Sequence, residues 1–347
     1  MNTASPYDKR NDSITKRIVD KVSFLNGKRP YNPTPWLFNG DLRTIFPFAT
    51  YPQEHHHYIR RWVQVDDEEA VAIDISFPKR DEPVGPTSPC GTLCGSWLDL
   101  SSRYHDPSKP LILLLHGLNG GSNEKYIADM TGKALGAGHT VVVFISRGMM
   151  FTPIQKSCFH GARSTDAYRV INVLHAALGN MLSETFMEAL SCEGRLPLIS
   201  AFSGDVMATS NRPQWRTGMG IVGFSMGAII GSKYATSMGS KSGLSFVVAF
   251  SSACDVWRNG CMEHSGRVWQ PIFTFELKRR VLAPNQALLQ DGVPVRPVIL
   301  DALARSGPIP AFDASFTANF HGYDNVLEYY RDQSCTTYGK FSIKSSF

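Results

Sequence analysis

The stretch MGIVGFS (219–225), followed directly by MGAIIGSKYATSMG (226–239), decides the fold of this 347-residue chain. Its first half is a short apolar run, typical of a buried strand, and its second half is helix-forming and ends at glycine. Between them Gly223, Ser225 and Gly227 form a G-x-S-x-G motif. Small residues on both sides of Ser225 permit a sharp turn that projects its hydroxyl at a helix N-terminus. There the helix dipole and the N–H of Met226 favour developing negative charge, so we interpret Ser225 as a candidate nucleophile.

The same alternation of strand and helix extends outward from this motif. Three further apolar runs predict buried strands, and two intervening stretches predict helices. The strands are PLILLLHG (110–117), HTVVVFIS (139–146) and LSFVVAFSSACD (244–255), and the helices are 121–138 and 163–178. Upstream, 58–67 and 70–78 alternate as an antiparallel pair. We therefore expect an α/β fold with a mostly parallel, doubly wound sheet and helices on both faces.

The remaining stretches set the expected boundaries. Residues 1–30 are polar and basic and are interpreted as a mobile leader, and 31–347 as one domain. Within that domain we expect 31–48 to be extended, because Pro33 and Pro35 disfavour helix. Residues 179–218 interrupt the alternation and are interpreted as an insertion, and 256–334 as a helical lid. Asp74, between apolar neighbours on a strand, is expected to face solvent.

Composition excludes several classes. Hydrophobic residues make up 43% and charged residues 19%, so the chain can bury a large core. The net charge of +5 is too diffuse for a nucleic-acid footprint. No apolar run approaches the roughly 18 residues of a membrane-spanning helix, and the N-terminus lacks an apolar signal region. An intracellular location is the default expectation.

Neither candidate metal cluster has ligand-like spacing. Cys90 and Cys94 form the only close pair among seven cysteines, and the nearest histidine, His105, lies in a loop-like stretch. Adjacent histidines at 55–57 would diverge in any regular structure, so an exposed polar turn is the preferred interpretation. We predict no metal and no cofactor.

The glycine-rich turn after 110–117 is the second candidate element of the site. A turn of this kind at a strand's C-terminal end lets backbone N–H groups face a ligand, and we choose the N–H of Leu118 as partner to that of Met226. His116 and Gly117 are candidates for substrate contact, and His116 fits a structural hydrogen bond better than a base. A phosphate loop is disfavoured, because 117–121 lacks the Lys-Ser/Thr and the G-x-G-x-x-G spacing.

Several motifs in order resemble the α/β-hydrolase branch that contains YheT-type esterases, abhydrolase-domain lipases and yeast ethanol acyltransferases. They are PTPWLFNGDLRT (33–44, with Asp41 where histidine is usual), HGLNGGSNEKYI (116–127), SRGMMFTPIQKSCFHGARSTD (146–166), GFSMG (223–227) and FDASFTANFHGYDNVLEYYRDQS (312–334). The resemblance implies an α/β-hydrolase fold with a helical lid. It also implies Ser225 as nucleophile and an oxyanion hole from Leu118 and Met226. Arg147 and Asp166 lie in the third motif, and we favour a structural ion pair for them.

The resemblance also implies a triad acid and base that this sequence does not show. In the family, about 60 further residues carrying an Asp-Asp-Pro and a Gly-His segment follow the last motif, whereas only 335–347 follow here. We therefore expect the C-terminal strands of the fold to be missing and 244–255 to form an open sheet edge, a solubility hazard. Asp255, paired with His321 or His264, is the candidate replacement for acid and base.

Two functions stay in contention. The first is a serine hydrolase, or an acyltransferase to alcohol, acting on a small-molecule lipid or ester through an acyl-enzyme. The second is a catalytically impaired, truncated form that at most binds lipid, because serine is a weak nucleophile without a base. A nucleotide-binding protein is disfavoured by the loop sequence. Peripheral membrane contact and oligomeric state stay open.

Overall fold

The computed structural model describes residues 13–22, 26–27, 32, 34–65, 70–78, 105–106, 108–152, 154, 160–161, 163–178, 218–239, 242–283 and 307–335. The chain divides into two compact units, Met1–Pro52 and Gln53–Phe347. Apart from Gly218, the predicted insertion at 179–218 lies outside the described residues. So does the end of the chain after Cys335.

The first unit contains two described helices, α1 (Ser13–Lys21) and α2 (Gly40–Thr50). The expectation that 31–48 is extended is wrong from Gly40 onward. Asn39 is the N-cap of α2, and its side-chain oxygen accepts a hydrogen bond from the N–H of Leu42 at 2.8 Å. Asn39 follows the two prolines, so the helix can begin once a capping side chain replaces the missing backbone acceptor.

The second unit contains a six-stranded sheet in the order β1-β2-β4-β3-β5-β6. Its strands are β1 (Ile59–Gln64), β2 (Ala70–Ser76), β3 (Leu111–Leu115), β4 (Val141–Ile145), β5 (Met219–Phe224) and β6 (Phe246–Phe250). β2 runs antiparallel to β1 and to β4, and the pairs β3–β4, β3–β5 and β5–β6 are parallel. The predicted strands are confirmed, and the sheet is mostly parallel, as expected.

Helices connect and cover these strands. They are α3 (Lys125–Gly136), α4 (Ser164–Leu178), α5 (Met226–Met238), α6 (Val256–Gly260), α7 (Glu263–Leu277), α8 (Ile309–Phe312), α9 (Ala318–Phe320) and α10 (Val326–Gln333). Two π-helical turns, Lys278–Leu282 and Asp313–Thr317, follow α7 and α8. In the described part of 256–334 the chain is helical and forms no strand, as the sequence predicts for this stretch.

The core lies on both faces of the sheet, and β3 shows the division. Leu113 and Leu115 belong to one apolar cluster with Ile171 of α4. Leu114, one residue along the strand, belongs to the other cluster with Ile127 of α3. Successive strand residues point to opposite faces, so a strand covered on both sides has to be apolar throughout. This explains the unbroken run LILLL.

Asp74 is buried, which corrects the expectation that it faces solvent. It is 2% exposed, and its carboxylate accepts hydrogen bonds from Arg60 Nε at 2.7 Å and Nη2 at 2.8 Å. The hydroxyl of Ser122 also donates to it at 2.5 Å. Residues Val71 to Ser76 of β2 are all buried, so both of its faces are covered, and a carboxylate there requires a charged partner. The pair ties the start of the sheet to the loop that precedes α3.

Candidate active site

Ser225 lies at the junction of β5 and α5 in a backbone conformation that only a constrained turn maintains. Its φ is 52° and its ψ is −114°. The N–H of Ser225 donates to the carbonyl of Phe250 at 2.9 Å, and its own carbonyl accepts from Ala228 and Ile229, each at 3.1 Å. A positive φ costs a non-glycine residue of order 1–3 kcal/mol, so it persists only where surrounding contacts impose it. The strand-turn-helix geometry of a nucleophile elbow is therefore present.

The two glycines of the motif are required by close packing. A Cβ on Gly223 would lie 2.5 Å from the carbonyl oxygen of Gly227 and 2.7 Å from the backbone of Ala228. A Cβ on Gly227 would lie 2.2 Å from the carbonyl oxygen of Leu115. All of these neighbours are backbone atoms, which cannot move without displacing a strand or helix. The motif thus brings α5 directly against the end of β3.

The close packing of α5 against β3 also places the glycine-rich turn beside Ser225. A Cβ on Gly117 would lie 3.3 Å from the Cβ of Ser225. The turn is closed by a hydrogen bond from the N–H of Gly120 to the carbonyl of Gly117 at 3.1 Å, with Asn119 at a φ of 60°. Among the described residues, neither Leu118 N–H nor Met226 N–H donates to a backbone acceptor. Two backbone donors flanking one serine can stabilise an oxyanion, and the assignment of these two stays a prediction.

Tyr126 is a residue of this site that sequence reasoning missed. Its hydroxyl accepts a hydrogen bond from the N–H of Gly117 at 2.9 Å, and its ring lies 4.9 Å from that of Phe224. Burial raises the pKa of Tyr126 to about 12, so it stays a neutral phenol. It connects the first turn of α3 to the glycine-rich loop. The available signal was its position within 116–127, nine residues after Gly117.

His116 is held as a neutral hydrogen-bonding residue. It is 2% exposed, its Nδ1 lies 2.7 Å from the carbonyl of Gly117, and its Nε2 accepts from the N–H of Ser146 at 3.2 Å. Both nitrogens are therefore used when the proton is on Nδ1. Burial lowers the pKa of His116 to about 4. These contacts favour the structural role over that of a base, and its contact with substrate stays a prediction.

The predicted ion pair between Arg147 and Asp166 is present. Arg147 is 1% exposed, and its Nε and Nη2 each donate to the Asp166 carboxylate at 2.7 Å. This bidentate geometry joins the second residue after β4 to the first turn of α4. It fixes two elements of the scaffold at the C-terminal edge of the sheet.

The candidate acid and bases make other contacts. Asp255 is the N-cap of α6 and accepts from the N–H of Arg258 at 3.0 Å. His321 packs its ring 4.2 Å from that of His160, with Arg163 Nη2 at 3.4 Å from its Nδ1, and burial lowers its pKa to about 3. His264 is exposed. The pairing of Asp255 with either histidine stays a prediction.

Neither metal candidate is supported further. Cys90 and Cys94 lie outside the described residues, and the ring of His105 is buried with its Nδ1 2.7 Å from the hydroxyl of Thr140. In the described ranges, no three His, Cys, Asp or Glu side chains form a group that could hold a metal ion. No described helix is long and apolar enough to cross a membrane.

The sheet order and the strained serine turn are those of an α/β-hydrolase fold. No protein-family model matches the chain. It is 24% identical over 324 residues to embryogenesis-associated protein EMB8 of Picea glauca, covering 92% of this chain and 58% of the relative. It is 25% identical over 312 residues to phospholipase ABHD3 of Homo sapiens, covering 88% and 60%. It is 24% identical over 238 residues to monoacylglycerol lipase of Saccharomyces cerevisiae, covering 66% and 44%.

Solved structures are more distant. The esterase Pf2001 of Pyrococcus furiosus superposes with a TM-score of 0.38 at 13% identity, over 65% of each chain. The chain spans 58% and 60% of the lengths of the first two curated relatives. In its motifs and over most of its length, the chain is similar to abhydrolase-domain proteins, and its sheet has the α/β-hydrolase fold.

Proposed function

We propose that the protein hydrolyses carboxylic esters of lipids through a covalent acyl-enzyme on Ser225. One observation carries the proposal: Ser225 occupies a strained turn at the N-terminus of α5, with Gly117 against its side chain. The fold does not require a serine at this position, because glycine adopts the same backbone geometry without strain. A serine at a strained position therefore supports a function for its side chain.

The reaction follows from the groups around Ser225. Its Oγ attacks the ester carbonyl carbon while a base takes the hydroxyl proton, and the carbonyl oxygen becomes an oxyanion facing the N–H groups of Leu118 and Met226. The tetrahedral adduct expels the alcohol, which receives that proton, and leaves Ser225 acylated. Water then attacks the acyl-enzyme and releases the carboxylic acid; an alcohol in its place would give acyl transfer. His321 with Asp255 is the proposed base and acid.

The substrate class is proposed from the relatives. Two of them are named a phospholipase and a monoacylglycerol lipase. Aromatic rings near Ser225 suit an apolar acyl chain: Phe224 stacks on Phe250 at 5.1 Å and makes a tilted contact with Tyr126 at 4.9 Å. An ester of a fatty acyl chain is therefore the proposed substrate.

One observation favours a second candidate, a lipid-binding protein without turnover. Within the described part of the chain, the Ser225 hydroxyl makes no hydrogen bond to a histidine or carboxylate. Loss of the base typically lowers the rate of a serine hydrolase by about 10⁴ to 10⁶. Such a protein would hold an acyl chain against the same aromatic rings.

Covalent labelling with a fluorophosphonate, measured by intact mass, tests the proposal. The matched control is Ser251, which follows β6 as Ser225 follows β5 and also has a positive φ, 53°. We expect one adduct per chain that disappears in Ser225→Ala and persists in Ser251→Ala. A folded protein that takes no label contradicts the hydrolase and favours the lipid-binding candidate. Binding of a fluorescent fatty acid, equal in wild type and Ser225→Ala, would then support that candidate.

A further inference from the structure

The helix α7 packs Gln270, Thr274 and Leu277 inward. Gln270 and Thr274 are 4% and 3% exposed, and Gln270 Nε2 donates to the carbonyl of Gly260 at 3.0 Å. The opposite face, at helical spacing, presents exposed apolar side chains: Val268 at 41%, Ile272 at 52% and Phe275 at 62%. A helix at the surface of a globular protein normally turns a polar face to solvent. The outward face of α7, defined by these three residues, is therefore a surface suited to an apolar partner.

Positive charge follows directly at the C-terminal end of this helix. Lys278, Arg279 and Arg280 begin the π-helical turn, and Glu276 accepts from Arg279 at 2.8 Å and from Arg280 at 2.7 Å. Arg280 also lies near the half-buried carboxylate of Glu124. Three consecutive basic residues therefore lie next to the exposed apolar side chains of α7. A basic run beside exposed apolar side chains is the pattern of helices that lie on anionic lipid.

Two hydrogen bonds connect this segment to the oxyanion loop. The side-chain amide of Asn119 donates to the carbonyl of Phe273 at 3.4 Å, and Arg280 Nη1 donates to the carbonyl of Asn119 at 3.3 Å. Asn119 directly follows Leu118, the proposed oxyanion donor. The outward face of α7 is thus carried by a helix that contacts the turn beside Ser225.

A second exposed aromatic residue flanks the same loop. Phe151 is 99% exposed, with a φ of 66°. Its neighbour Met150 accepts, through its sulfur, a hydrogen bond from the N–H of Ser122 at 3.2 Å. Apolar side chains at solvent positions therefore occur on both segments that contact residues 119–122.

We propose that the outward face of α7, with the basic residues 278–280 and with Phe151, docks on an anionic lipid bilayer and brings the mouth of the Ser225 site to the lipid. The docking itself needs no turnover; the delivery of substrate rests on the proposed ester hydrolysis. The bilayer is the preferred occupant, because it supplies both an apolar layer and negative charge. A second copy of the chain would bring a second set of cations to the same basic residues, which repel.

Co-sedimentation of the full chain with lipid vesicles tests this docking. The probes are vesicles of phosphatidylcholine alone and vesicles of equal parts phosphatidylcholine and phosphatidylserine. We expect binding to the mixed vesicles that weakens as salt is added. Ile272→Ser with Phe275→Ser should lower the partition coefficient about tenfold or more, because both side chains lose their transfer into lipid. Lys278→Gln with Arg279→Gln should lower it about 25-fold, since each charge near an anionic surface contributes roughly fivefold.

The matched control is Leu327→Ser on α10, which is 48% exposed and lies outside the proposed surface. It should bind vesicles as wild type does. All variants change exposed or half-buried positions, so their melting temperatures should match that of wild type. Absence of wild-type binding, or equal binding by the Ile272→Ser, Phe275→Ser variant, would overturn the proposal. So would a dimer in light scattering that the same variant dissolves, because the face would then bind a second copy.

Two further measurements separate this proposal from the proposed function. Ser225→Ala should bind mixed vesicles as wild type does, and a chain that binds them but takes no fluorophosphonate label keeps the docking while contradicting the hydrolase. Conversely, hydrolysis of a water-soluble ester without any vesicle binding keeps the hydrolase and contradicts the docking.

Discussion

β5 and β6 lie side by side in one sheet, have similar apolar composition and differ in burial. Val222 of β5 and Val248 of β6 are register partners, yet Val222 is 6% exposed and Val248 39%. β5 has a neighbour on each edge, whereas β6 is the last strand of the described sheet. On one face of β6, Val247 packs toward α5; the other carries the exposed Phe246, Val248 and Phe250. Burial of a strand thus depends on what covers it, not on its own side chains.

The serines that follow these two strands also differ in what lies next to them. Ser225 and Ser251 both have a positive φ, but α5 begins directly after Ser225, whereas α6 begins at Val256. Only Ser225 therefore lies at a helix N-terminus with free N–H groups ahead of it. The strained backbone is common to both turns, and the neighbouring helix is what makes one of them a candidate nucleophile.

The largest expected effect tests how closely α5, the helix that follows β5, packs against β3. Gly227→Ala should lower the free energy of unfolding by about 4 kcal/mol or more, because its Cβ would lie 2.2 Å from the Leu115 carbonyl oxygen. Gly266→Ala, on α7 with nothing within 4 Å of the added Cβ, is the control and should be neutral or stabilising by up to about 1 kcal/mol. Urea denaturation measures both. Equal effects of the two substitutions would contradict the close approach of α5 and β3.

A somewhat smaller effect is expected on the pH dependence of stability, through His116 at the end of the buried strand β3. The pKa of His116 is about 4 in the fold, below its ordinary value of 6.5, because burial disfavours the charged ring. The unfolded chain therefore binds a proton that the folded chain does not as pH falls below 6.5, and stability falls. By pH 4 the loss attributable to His116 reaches roughly 3 kcal/mol. Urea denaturation across this range should show a shallower acid dependence for His116→Gln, and an unchanged slope would contradict the assignment.

The direct comparison of the register partners is expected to give a smaller difference. Val222→Ala should cost about 2 kcal/mol, since it removes two buried methyl groups and leaves a cavity. Val248→Ala should cost under about 1 kcal/mol, because its side chain already contacts solvent. Thermal or urea unfolding measures the pair. Equal costs would mean that β6 is covered in solution, and the comparison with β5 would no longer hold.

The smallest effect on stability is expected at the edge itself, where solubility is the informative quantity. Val248→Lys should change stability by about 0.5 kcal/mol and reduce concentration-dependent aggregation, because a charge on an exposed edge strand opposes strand pairing between chains. Light scattering over a concentration series measures it, with Leu327→Lys as the control for added charge alone. Wild-type chain that stays monodisperse throughout would contradict the predicted hazard of this edge.

Most of the sheet was predictable from local pattern. Unbroken apolar runs predicted β3, β4 and β5, because a strand covered on both faces can contain little else. Gly223, Ser225 and Gly227 predicted the turn, because their small size is needed where backbones approach. The helix α2 was mispredicted, because Pro33 and Pro35 indicated extended chain and the capping role of Asn39 was overlooked.

The site was only partly predictable, because its contacts join distant residues. Asp74 was expected at the surface, since the local pattern does not show that both faces of β2 are covered. Tyr126 was missed, because a phenol that accepts a hydrogen bond from Gly117 has no local signature. The outward face of α7 was likewise invisible to sequence, because its apolar residues have the spacing of an ordinary buried stripe.

The sequence by itself determined which segments are strands and helices, and where the strained serine stands, because backbone hydrogen bonding, side-chain periodicity and turn sterics act over a few residues. The tertiary structure alone decided which apolar segments are covered, which charges are paired and which nitrogens of His116 are bonded. Those properties depend on groups brought together from distant parts of the chain. Two valines in neighbouring strands, alike in chemistry, differ in burial for that reason.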